Sequence, residues 1–224
     1  LGRAADADYF VSLAKMRAAR QVFARIATAS GAGATARIEA RSSRRMLTAK
    51  DPWTNMIRLT AAGFAAAAGG ADAVILGAFT DALGLPTAFA RRQSRNAQLV
   101  LMEEGEIGRV ADPAAGSGYV EALTDQIARA AWAKLQAIEA AGGLIAALEA
   151  GLIAREVEAA NAARGAPKIL GVTAFPPTEE APVDVDPAAP ATPDPADARL
   201  PGPDGRCAAL TPVRLSEAYE AAGA

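Results

Sequence analysis

Residues 71–79, Ala-Asp-Ala-Val-Ile-Leu-Gly-Ala-Phe, form an apolar run of strand length between two helical patterns. A run that does not alternate with a period of two suits a parallel strand buried on both faces, and such a strand needs helices to cover it. The helix before it opens at Asp51-Pro52, read as an N-cap followed by proline at the first helical position. That helix carries Trp53, Met56, Ile57, Thr60 and Phe64 on one face and ends at Gly69-Gly70. The helix after it opens at Pro86 and runs to about Glu104, with Phe89, Gln93, Asn96 and Val100 aligned.

The same alternation extends upstream. Residues 9–29 have an amphipathic stripe of Tyr9, Leu13, Met16 and Phe23, with Lys15, Arg17, Arg20 and Arg25 on other faces and Gly31 and Gly33 as the stop. Thr35 to Ala40 reads as a strand ending in a basic loop, Arg41 to Arg45. Residues 9–104 therefore read helix, strand, helix, strand, helix, the order of a parallel α/β fold. Two strands cannot close a sheet or cover these helices, so the segment is expected to be the last portion of a larger barrel or sheet.

Downstream the period becomes purely helical. Val120, Leu123, Ile127, Ala131, Leu135 and Ile138 predict a helix over 118–141, ended by Gly142-Gly143, with shorter helices at about 144–150 and 152–163. Lys168 to Phe175 reads as a strand or an extended arm. Pro, Ala and Asp dominate 176–205, which cannot bury enough apolar surface to offset its ordering entropy and is expected to be extended or disordered. Leu210 to Tyr219 is a weakly amphipathic end.

The 224 residues include no histidine. Histidine is the usual acid–base group near neutral pH and the commonest metal ligand, so Ser-His-Asp triads, His-zinc sites and His ligation of cobalt or haem iron are excluded for this sequence. The single cysteine, Cys207, leaves no disulfide or thiolate metal site and has no assigned role. Lys plus Arg is 23 against 25 for Asp plus Glu, which gives no reason to expect nucleic acid or a membrane surface as partner. No apolar run approaches the roughly 18 residues of a membrane span and no secretory signal is read; with a single cysteine, a reducing cytoplasm is the expected compartment. A chain beginning with Leu1 reads as a fragment.

Four patches could carry chemistry. Arg41-Ser42-Ser43-Arg44-Arg45 follows a strand, where the loops of a (β/α)8 barrel build an active site, and three guanidiniums could grip phosphate or carboxylate. No glycine cradle accompanies them, which favours a solvated or subunit-facing basic loop. Asp112 to Gly118 is glycine-rich and opens a helix, but it lacks the glycine, lysine and threonine of a phosphate loop and reads as a turn with a helix cap. Arg91, Arg92 and Arg95 read as a solvated helix face. Glu103, Glu104 and Glu106 sit where the helix dipole disfavours carboxylates, which points to a nearby arginine.

Five blocks resemble the methylmalonyl-CoA mutase family, in the family's order and at its spacing. They are Ala14 to Arg20, Asp51 to Asn55, Leu83 to Pro86, Ala90 to Gln98, and Arg109 to Ser117. The resemblance covers about residues 9–175. It implies a (β/α)8 substrate barrel, with 1–104 as the barrel's C-terminal portion, 105–175 as a helical linker and 176–224 as an extended Pro/Ala/Asp-rich tail. Catalytic members carry Arg-Leu-Trp after the first block, in contact with the acyl-CoA; here Gln21, Val22 and Phe23 stand there. Catalytic members also carry a His-X-Gln-Thr-Ser-Gly loop, with His and Gln facing the substrate. Glu39 and Arg41 take those two places, Ser42 and Ser43 those of Thr and Ser, and Arg44 that of glycine. The family binds cobalamin through an Asp-X-His-X-X-Gly loop on a separate domain, absent here.

The resemblance therefore implies the small, non-catalytic subunit of an adenosylcobalamin-dependent mutase. No residue of this chain would be catalytic, the cofactor would be held by the large catalytic partner of a heterodimer, and that partner would interconvert methylmalonyl-CoA and succinyl-CoA. Two other readings stand beside it: a fragment of an active acyl-CoA mutase of altered specificity, and a stand-alone scaffold or binding protein.

Overall fold

The computed structural model describes residues 1–187 and 204–221. Helix α1 spans Tyr9–Ala29, and Asp8 caps it by accepting a hydrogen bond from the Val11 amide at 3.3 Å. Helix α2 spans Asn55–Ala68 and α3 spans Ala88–Leu99, continuing into a π-turn at Val100–Glu104. Thr87, not Pro86, starts α3, its hydroxyl accepting from the Ala90 amide at 3.3 Å. Three parallel strands, β1 (Gly2–Ala5), β2 (Glu39–Ser42) and β3 (Ala73–Ile75), lie in that order in one sheet. Helices α4 (Gly118–Ala140), α5 (Gly143–Glu149) and α6 (Leu152–Ala162) follow, and α7 (Glu217–Ala221) ends the described chain. No helix among the described residues is long and apolar enough to cross a membrane.

The parallel α/β expectation holds at the level of a small parallel sheet and its helices, with several corrections. A third strand, β1, lies in Gly-Arg-Ala-Ala, which carries no β-branched or aromatic signal. β2 begins four residues later than Thr35, because the Ile38 amide is held by the Asp72 carboxylate at 2.8 Å. β3 is three residues long, not nine, because the chain leaves the sheet at Gly77, whose amide donates to the Ser42 hydroxyl at 2.7 Å. Asp51 and Pro52 open a short 3-10 turn, Pro52–Thr54, and not α2, and the Asp51 side chain makes no capping hydrogen bond to the backbone. Asp51 is left-handed, with φ 45°, and its carboxylate accepts from the Thr54 hydroxyl. Lys168 to Phe175 is neither strand nor arm but a tight turn, in which the Thr173 and Ala174 amides share the Ile169 carbonyl at 3.0 Å. The described part of the tail is extended and tied down: the Asp186 amide donates to the Leu85 carbonyl at 2.8 Å, and Val183 packs on the core. The remainder of that segment, 188–203, lies outside the described residues.

α1 and α2 cover one face of the sheet. Ala5, Ile38 and Ala40 are buried against them with Met16, Leu59, Ala62 and Ala66. Because the core face of α2 is alanine, the helices approach closely, and a Cβ at Gly69 would stand 2.6 Å from the Leu13 carbonyl oxygen. Besides Leu59 and Met56, the larger apolar α2 side chains lie elsewhere: Ile57 is 70% exposed, and Phe64 meets Tyr9 with ring centroids 5.3 Å apart. In a nearly all-apolar helix, periodicity alone does not single out the buried stripe.

Asn55 holds the loops together. It is fully buried; its Oδ1 accepts from the Thr48 amide at 3.0 Å, and its Nδ2 donates to the carbonyls of Thr48 at 2.8 Å and Phe79 at 2.9 Å. The loop after β2 and the loop after β3 thus share one side chain. Asn55→Ala should destabilise the chain by about 3 kcal/mol or more, since it strands several buried polar groups at once. Urea unfolding of the variant against wild type measures this.

Candidate functional site

Parallel sheets bind their ligands beyond the carboxyl ends of the strands. Here that edge is built from Asp6 after β1, Ser42 at the end of β2 with Ser43 to Arg45 after it, and Gly77 to Asp81 after β3. The loop arginines turn onto protein acceptors. The Arg45 guanidinium pairs with the Asp6 carboxylate, and Arg44 donates to the Asp81 carbonyl at 3.1 Å. Asp6 is fixed in turn by the buried Ser12, whose hydroxyl accepts from the Asp6 amide at 3.0 Å and donates to its carbonyl at 3.1 Å. Burial lowers the pKa of the Lys15 ammonium, against the opposing pull of Asp6.

The third loop is equally tight. Burial raises the Asp81 carboxyl, against a hydrogen bond from the Ala78 amide at 3.1 Å. Gly77 carries no side chain for a direct reason: a Cβ there would stand 2.5 Å from Asp81 Oδ2. The Ser94 hydroxyl of α3 donates to the Gly77 carbonyl at 2.6 Å, and a cavity of about 350 Å³ between this loop and α3 is lined by Asp81, Arg91 and Arg95 among others.

Glu39 and Arg41 lie on the sheet face opposite α1 and α2, in register with Ala73 and Ile75 of β3. Arg41 Nε donates to Glu39 Oε1 at 2.7 Å, and the two side chains are 67% and 45% exposed respectively. Gln21, Val22 and Phe23 are elsewhere, on α1. Phe23 packs against the core, while Gln21 lines two cavities: one of about 360 Å³ between α1, Gly69-Gly70 and Ala111-Asp112, and one of about 420 Å³ between α1 and α4, shared with Val22, Arg25 and Trp132. The structure thus brings Glu39 and Arg41 together and leaves Gln21 to Phe23 in the helix layer.

The remaining candidates have structural surroundings. Arg91, Arg92 and Arg95 are exposed on α3. Glu106 pairs with Arg109, while Glu103 and Glu104 are exposed. Asp112 opens a turn whose Gly116 amide donates to Glu121 Oε1 at 3.1 Å. Cys207 is partly exposed, with a free thiol.

Sequence reasoning left unassigned two arginines of the first block. Arg17, with a side chain only 12% exposed, grips Asp112 at 2.8 Å, Glu121 at 2.9 Å and the Thr124 hydroxyl at 3.1 Å, and so joins α1 to α4. Its bond to Glu121 lowers that carboxyl's pKa. Arg20 donates to the carbonyls of Ala36 at 2.7 Å and Gly70 at 2.6 Å and pairs with Asp72 at 3.0 Å. The available signal was their position inside a helix that otherwise packs on the core.

The Asp72 pKa lies below the usual carboxylate value, first through the Ile38 amide and then through Arg20. Because its folded value is depressed, its contribution is fully present above the unfolded value, about 3.9, and is lost as pH falls through the folded one. Asp72→Asn should therefore be less stable than wild type near neutrality, with the gap shrinking as pH drops below about 4. Urea midpoints measured across that range test the sign.

A family model described as methylmalonyl-CoA mutase matches residues 3–195. The chain is 46% identical over 225 residues to the methylmalonyl-CoA mutase small subunit of Streptomyces virginiae, which covers 97% of this chain and 34% of that protein. It is 42% identical over 161 residues to the methylmalonyl-CoA mutase small subunit of Propionibacterium freudenreichii subsp. shermanii, covering 70% and 25%. It is 43% identical over 159 residues to the methylmalonyl-CoA mutase of Escherichia coli strain K12, covering 69% and 22%. The chain thus spans about a third or less of the length of these curated relatives. With a family match across most of its length and close to half its residues shared with one member, the chain belongs to the methylmalonyl-CoA mutase family.

Proposed function

We propose that this chain is part of the small, non-catalytic subunit of an adenosylcobalamin-dependent methylmalonyl-CoA mutase. It acts through a large catalytic partner in a cytoplasmic heterodimer. The observation that carries this reading is the Glu39–Arg41 ion pair. At the two positions where catalytic members present a histidine and a glutamine to substrate, this chain has opposite charges bonded to one another. Residues 1–104 are then the last portion of a (β/α)8 barrel, 105–175 its helical linker and 176–224 its tail. A parallel sheet with one bare face supports that assignment.

The mutases of this family use cobalamin, and the residues present do not fit it. The sequence contains no histidine, so an imidazole for cobalt is lacking, and no group of three His, Cys, Asp or Glu side chains converges among the described residues. The cofactor belongs, on this reading, to the catalytic partner. Titrating the chain with adenosylcobalamin should leave the visible spectrum unchanged; stoichiometric uptake with a base-off spectrum would overturn the assignment.

Restoring the two family side chains should not restore the site. Glu39→His with Arg41→Gln removes the ion pair but leaves Arg44 where catalytic members have glycine. Residues that act as a unit are strongly non-additive, so partial repair returns almost nothing. Calorimetry with methylmalonyl-CoA should therefore show no binding by the double variant in the full-length subunit. Micromolar binding would instead favour an active mutase of altered specificity.

A further inference from the structure

The loop between β2 and α2 leaves backbone groups that neither element satisfies. Asn55 takes the amide and carbonyl of Thr48 from the inside. The outer groups are taken by residues about 170 positions further along the chain. The Leu215 amide donates to the Arg45 carbonyl at 2.9 Å, and the Ser216 hydroxyl donates to the Leu47 carbonyl at 3.2 Å. The Ala49 amide donates to Glu220 Oε1 at 2.7 Å, and Arg214 pairs with Glu220 at 2.8 Å while also reaching the Leu47 carbonyl at 3.4 Å. Ser216 and Leu47 are each only 1% exposed, so these are interior contacts.

The order of the segment depends on its docking. α7 has five residues, far below the length at which a helix holds itself in water. Its first turn is anchored by the Ser216 carbonyl, which accepts from the Tyr219 and Glu220 amides at 2.9 Å. Arg45 carries the contact inward, since its carbonyl meets the docked segment while its guanidinium pairs with Asp6 beyond the end of β1.

We infer that residues 214–220 are a latch that clamps the β2–α2 loop closed at the carboxyl ends of β1 and β2, the side from which a ligand of a parallel sheet approaches. The latch is a conformational device of this chain, and it stands whether or not the subunit assignment does. Latched, the loop keeps Arg45 on Asp6; released, three of its backbone groups lose their partners and the sheet edge opens.

The test is hydrogen exchange on the whole chain, reading the Ala49 and Leu215 amides, with limited trypsin digestion reading the bonds after Arg44 and Arg45. In wild type both amides should be protected and both bonds resistant. Glu220→Ala and Arg214→Ala should each speed exchange at both amides at least tenfold and admit trypsin at the loop, while the Ala14 amide of α1 stays protected. Glu220→Gln, which keeps an acceptor and the side-chain shape, should retain part of the protection and reads the same amides if Glu220→Ala unfolds. Unprotected amides in wild type would overturn the latch, as would variants, Glu220→Gln included, that exchange like wild type.

Discussion

The architecture depends on the bonds of Asn55 at the first residue of α2. A three-residue strand and a four-residue strand supply few ladder hydrogen bonds, so the sheet cannot fix the loops at its own ends. Asn55 fixes them from the helix layer, with one amide group serving Thr48 in the loop after β2 and Phe79 in the loop after β3. Its burial is tolerable only because both ends of the amide are paired. Phe79 then stacks on Trp53, with centroids 5.0 Å apart, so the polar anchor and the aromatic packing hold the same two loops.

Around that anchor, arginines bind backbone carbonyls and carboxylates where longer strands would have made ladder bonds. Arg20 closes the gap between the end of α2 and the approach to β2, and Arg17 joins α1 to α4. Arg58 donates to the Leu170 carbonyl at 2.6 Å and holds the turn that the 168–175 segment makes, although burial lowers its pKa. A guanidinium suits this role because it offers several donors in one rigid plane. The alanine-rich core explains the need. Small side chains bring helices close but bury little area each, so directional bonds do more of the positioning.

The sequence reveals helices far better than strands. α1 and α4 come out within a residue or two, because long amphipathic periods are hard to imitate. β1 was invisible, since Gly-Arg-Ala-Ala has no strand character and is extended only because β2 offers it a parallel ladder. β3 was overestimated because apolar composition continues through Gly77, Ala78 and Phe79 after the pairing has ended. At the site, Glu39 and Arg41 were singled out as substituted positions by the resemblance alone, counting back from Asp51-Pro52. Their ion pair could not be read that way, since it requires knowing that residues two apart on β2 share a face. The docking of Arg214, Ser216 and Glu220 had no local signal at all, because its partners lie about 170 residues away.

The Glu39–Arg41 pair also constrains what can lie against the sheet's bare face. At 67% and 45% exposure the two charges are well solvated, and such a pair is worth little, of order 0–1 kcal/mol. Cover that face with dry apolar surface and the balance changes. Removing both ions from water costs several kcal/mol each, which a single hydrogen bond between them does not return. Any element that covers this face must therefore bring polar groups or leave water. Uncharged side chains at these two positions would carry no such requirement.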